Sequence, residues 1–135
     1  MNKAIISFWL FFIIAVRAHG QVVHTTSADS LNPYGKYYQK PQFVGGTDSL
    51  DSFIKKNMRY PYAARESNIE GRVIVRFIVN EEGDISDATV IRSIQFSCDE
   101  EALRLVKAMP RWQPATYKHK PVKAVEVLPV IFKLQ

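Results

Sequence analysis

Tyr60-Pro61-Tyr62-Ala63-Ala64, and then Ile69-Glu70-Gly71-Arg72-Val73-Ile74-Val75-Arg76-Phe77, is the stretch on which the fold turns. Pro61 fixes its own φ and keeps the residue before it extended, so a helix upstream must end here and a short one can open. Asn68 and Gly71 suit the exit from that short helix. From Gly71 to Asn80 the chain alternates, with Val73, Val75, Phe77 and Val79 on one face and Ile74, Arg76 and Ile78 on the other. One wholly apolar face and one mixed face describe a strand covered on one side.

Upstream, Gly45-Gly46 is a turn and Asp48 the expected cap of a helix. Leu50, Phe53, Ile54 and Met58 form a single apolar stripe on it. Downstream, Glu81-Glu82-Gly83-Asp84 is a hairpin loop. Ile85 to Ile91 returns as a strand whose apolar members are Ile85, Ala88, Val90 and Ile91. Ser97-Cys98-Asp99-Glu100 has the spacing of a capping box, and Ala102, Leu103, Val106 and Met109 make the buried stripe of the helix that follows. Acids Asp99, Glu100 and Glu101 precede bases Arg104 and Lys107, in line with the helix dipole. Pro110 stops that helix. A loop through Trp112 and Pro114 leads to the turn Lys118-His119-Lys120-Pro121, and a last strand covers Val122 to Leu134. The predicted fold class is α+β: two layers, a small antiparallel three-stranded sheet with helices on one face.

The 135 residues fit one domain preceded by other segments. Lys3, the apolar run Ala4 to Val16 and the small residues Ala18-His19-Gly20 read as a signal peptide over 1–20. A span needs roughly 20 apolar residues, so an N-terminal anchor is the alternative. Residues 21–40 are polar and aperiodic, a flexible lead-in, and 41–135 form the domain. Cleavage leaves 16 basic and 13 acidic residues, a net charge of +3 spread along the chain. That argues against a nucleic-acid partner, which needs clustered cations with interleaved aromatics. The lone Cys98 excludes an internal disulfide and reads as a small buried hydrophobe.

No catalytic or cofactor pattern emerges. His19, His24 and His119 have no metal-ligand spacing and no nucleophile–base order, and Gly45-Gly46 lacks the lysine of a phosphate loop. The expected protein is not an enzyme, binds no metal or cofactor, and uses Trp112 to plug a core edge.

Taken in order, Pro41-Gln42-Phe43-Val44-Gly45-Gly46, Tyr60-Pro61, Ile69-Glu70-Gly71, the Gly83 hairpin, Ala102-Leu103, Trp112-Gln113-Pro114 and Pro129-Val130-Ile131-Phe132-Lys133-Leu134 resemble the TonB C-terminal domain family. The opening is similar to the version in Bacteroidetes-type bacteria. The resemblance implies a periplasmic domain whose last strand takes up the TonB box, the N-terminal peptide of an outer-membrane transporter. It also implies coupling to the ExbB and ExbD motor proteins, in support of energy-coupled transport. It places the contact at Val125, Val127, Leu128, Val130 and Phe132, with Arg59 and Tyr60 as a second group. Pro129 inside that strand suits an edge position. An open edge also permits a homodimer. The sequence departs from the family at Asn57-Met58-Arg59, where enteric members carry glutamines, and Ser7 and His19 do not have the spacing of the anchor motif. Residues 21–40, fully stretched, reach only about 70 Å. A stand-alone peptide-binding adaptor or regulator that transmits no force is therefore the alternative.

Overall fold

The alternation in the deciding stretch becomes a strand. Val73, Val75, Phe77 and Val79 expose no surface, while the residues between them are half-buried. A computed structural model describes residues 35–135; the signal-peptide or anchor reading of 1–20 and most of the lead-in lie outside the described residues.

After a 3-10 turn at Gly35–Tyr37 come β1 (Tyr38–Gln39), α1 (Gly46–Asn57), α2 (Tyr62–Glu66), β2 (Gly71–Val79) and β3 (Ile85–Arg92). These are followed by α3 (Phe96–Lys107), β4 (Ala115–Tyr117), β5 (Lys120–Val122) and β6 (Ala124–Phe132). The main sheet has the order β3-β2-β6, antiparallel throughout. Its inner face packs on α3, with Val73, Val75, Phe77, Val79, Val130 and Phe132 against Cys98, Ala102, Leu105 and Val106. The α1 stripe of Leu50, Phe53, Ile54 and Met58 closes onto the same core. Trp112 is buried edge-on to Phe43 and Phe77, at 5.7 and 5.4 Å between ring centroids.

Four details depart from the sequence reading. A second antiparallel sheet, β1-β4-β5, accompanies the main one, and Tyr38–Gln39 of the lead-in belongs to it. Its strands are too short to carry a two-residue period. Its hairpin turns on Lys118 and His119, both left-handed at φ 49° and 65°, as a two-residue turn of this hand requires. The last strand is interrupted at Lys123, which divides β5 from β6. Neither predicted helix cap forms. Gly45, at φ 90°, precedes α1 and places Asp48 inside the first turn, while Gln95 precedes α3 and places Ser97 inside the helix. Asp99 instead reaches back, accepting hydrogen bonds from the Ser93 hydroxyl and, at 3.4 Å, from the Ile94 amide. Finally, α1 stops at Asn57, with Met58 extended, and Pro61 caps α2 rather than starting it.

Candidate functional site: the β6 edge and its groove

Among the described residues, β6 is the longest strand with an unpaired side. It pairs with β2 from Ala124↔Val79 to Phe132↔Gly71 without a register shift. A proline fits such a ladder where its nitrogen faces away from the neighbour. Since hydrogen-bonded and non-bonded positions alternate, Val125, Val127 and Ile131 turn their amides the same way as Pro129, to the free edge. Leu128 and Val130 turn theirs to β2. The side chains follow the pleat. Val130 and Phe132 are buried and Leu128 is half-buried on the inner face, whereas Val125, Val127 and Ile131 are exposed on the outer face.

The opposite edge, β3, is far less regular. Two register shifts interrupt its pairing with β2. Asp87 is left-handed at φ 52°, and Ile91 is thrown out to the surface. Bulges of this kind twist an edge away from further pairing. The main sheet thus has one irregular edge and one straight one.

A groove of about 1160 Å³ borders the C-terminal half of β6. Pro129, Ile131 and Leu134 line it on one side, Ile54, Lys55 and Met58 on another, and Tyr60 and Arg65 also reach it. The segment between α1 and α2 that forms this wall is held by Glu101. Its carboxylate accepts the Arg59 amide at 2.7 Å and the Arg104 guanidinium at 2.6 and 2.8 Å. Arg104 also donates to the Asn57 carbonyl at 2.8 Å. Burial alone would raise the Glu101 carboxyl, but the Arg104 and Arg59 hydrogen bonds outweigh it and hold the carboxyl below its ordinary range. The Tyr60 hydroxyl donates to the Ile69 carbonyl, and its ring lies edge-on to Phe132 at 5.7 Å. Burial, with Cys98 and Glu70 nearby, raises its phenol, so the hydroxyl stays a donor. The Arg59 side chain is exposed.

Of the contact residues expected from the sequence, Val125 and Val127 therefore offer both backbone and side chain to a partner. Tyr60 lines the groove. Leu128, Val130 and Phe132 hold β6 onto the core. Ile131 and the groove wall of Lys55, Arg65 and Met58, not named among the expected contacts, border the same edge. The strand parity pointed to Ile131; no sequence signal pointed to the wall. Cys98 is buried, with its thiol raised by that burial, and no three potential metal ligands cluster among the described residues.

The family model for the Gram-negative bacterial TonB protein C-terminal matches residues 56–134. This chain belongs to that family. The TonB C-terminal match takes in α2, the whole main sheet and α3, and it starts two residues before Met58. The fold is similar to the solution structure of Helicobacter pylori TonB-CTD residues 179–285, at 23% identity and TM-score 0.49, covering 64% of this chain and 78% of that one. A second structure from the same organism, residues 194–285, matches at 24% identity and TM-score 0.49, with 64% and 90% covered. No curated protein matches the chain.

Proposed function

We propose that this TonB-family chain is a periplasmic protein that binds the extended N-terminal peptide of an outer-membrane transporter by adding it to β6. The observation that carries the reading is the straight, unpaired β6 edge beside a groove, set against a bulged β3 edge. Backbone hydrogen bonds along such an edge supply affinity, and the adjoining wall selects side chains. Family membership supports extending the reading to engagement with ExbB and ExbD and to energy-coupled transport. An adaptor without force transmission would use the same edge.

Titration of a labelled transporter N-terminal peptide against the folded protein tests the docking step. Val127→Pro removes an edge amide while leaving the β2 ladder intact. The expected loss is roughly 1–3 kcal/mol, the cost of one unmet backbone bond. Unchanged affinity in a folded Val127→Pro protein excludes pairing at this edge.

A further inference from the structure

The outer face of the main sheet has a chemistry that peptide pairing does not use. The helices cover the other side. The register sets Arg72 opposite Ile131, Ile74 opposite both Pro129 and Arg92, Arg76 opposite Val127, and Ile78 opposite Val125. Arg92 thereby sits opposite the residue midway between Arg72 and Arg76. None of the three arginines forms an ion pair or side-chain hydrogen bond among the described residues. The acids of these strands are directed elsewhere. Glu126 lies on the inner face, Asp87 sits in the β3 bulge, and Glu70, at the end of the face, accepts the Leu134 amide at 2.6 Å. Around the arginines, Val125 and Val127 are 50% exposed and Ile131 60%.

We propose that this face binds the anionic surface of a phospholipid bilayer, with the three arginines on lipid phosphates and Val125, Val127 and Ile131 in the interfacial layer. Cations interspersed with exposed aliphatic side chains match an interface that is charged at its surface and apolar just beneath. Guanidinium stems lie along the apolar surface while their heads reach phosphate. The face carries no aromatic platform for nucleobases, and a small free anion would leave its aliphatic residues without a role. The proposal rests on the arginines and the outer side chains of the sheet, whereas peptide docking rests first on the backbone edge of β6; Val125, Val127 and Ile131 are common to both.

The test uses the full chain carrying Val127→Cys, labelled with an environment-sensitive fluorophore; Cys98 is buried and stays unlabelled. Tyr62→Cys, at a 77% exposed position on α2, is the control. With vesicles of phosphatidylglycerol and phosphatidylcholine, emission at position 127 should shift to the blue and position 62 should not. Replacing Arg72, Arg76 and Arg92 together by glutamine should lower partitioning on the order of a hundredfold, about fivefold per cation. A missing shift at 127, an equal shift at 62, or the same shift on pure phosphatidylcholine would overturn the proposal. So would a shift that follows protein concentration without vesicles, which would mean that a second copy covers the face.

Discussion

Glu101 shows how far one side chain can set a site it never touches. It lies on α3, yet it fixes the backbone of Arg59 and, through Arg104, the last carbonyl of α1. From the sequence it reads only as an acid in an early helical turn, because its partner Arg59 is 42 residues away. Replacing it by alanine leaves the Arg59 amide and the Arg104 guanidinium unmatched, and should destabilise by about 2 kcal/mol in chemical denaturation. Its folded pKa is lowered from 4.5. The unfolded state therefore binds the proton more readily in that range. The contribution is complete above about pH 4.5 and is lost as pH falls through the lower folded value. Acid titration of Glu101→Gln should lack that component. Gly83 is the second decisive residue. At φ 88° it receives the Trp112 amide on its carbonyl at 2.9 Å, and a Cβ there would stand 2.0 Å from the Trp112 oxygen. Gly83→Ala combines left-handed strain with that clash, and the expected loss is about 2–3 kcal/mol by denaturation.

Among the elements, β3 and β6 flank the same central strand and differ in regularity. The difference has a local cause. In β3 one extra residue is accommodated near Asp87 and another at Ile91, whereas β6 spends none. The apolar members of β3 are evident in the sequence, but its bulges are not, and the bulge at Ile91 puts that residue on the surface. In β6 the pleat parity was open to inspection from Ala124 to Phe132, and it separates the two kinds of proline substitution. Leu128→Pro should remove a bond to β2 and destabilise the fold by about 3 kcal/mol, while Val127→Pro should leave stability nearly unchanged. Denaturation of the two variants side by side checks the assigned parity. Equal losses would mean that the amides face the other way. The short strands of the second sheet carry too few residues for any periodic signal, and the groove wall is a product of chain packing, out of reach of local pattern.

For the molecule as a whole, the central strand carries the most weight. Phe77 meets Trp112 on the buried side of β2 and has no exposed surface. Phe77→Ala should cost about 3–5 kcal/mol in chemical denaturation. A loss under about 1 kcal/mol would contradict the register between β2 and both its neighbours. Helix, strand and hairpin order were readable because α1, α3 and β2 each repeat an apolar pattern over enough residues to be unambiguous. The two sheets also differ in how they would yield to a mechanical pull. Tyr38–Gln39 makes two residue pairs with β4, supplemented by the Lys118 amide on the Tyr37 carbonyl at 3.1 Å and by a bridge between Gln42 and Gln113. β6 is held by nine pairs with β2. A pull on the N-terminal side would peel the two-pair strand at a lower force than the nine-pair ladder needs to part. Under such a pull the small sheet would be the yielding link and the main sheet the stiff one, so the chain would lengthen before the strand that presents the open edge is disturbed.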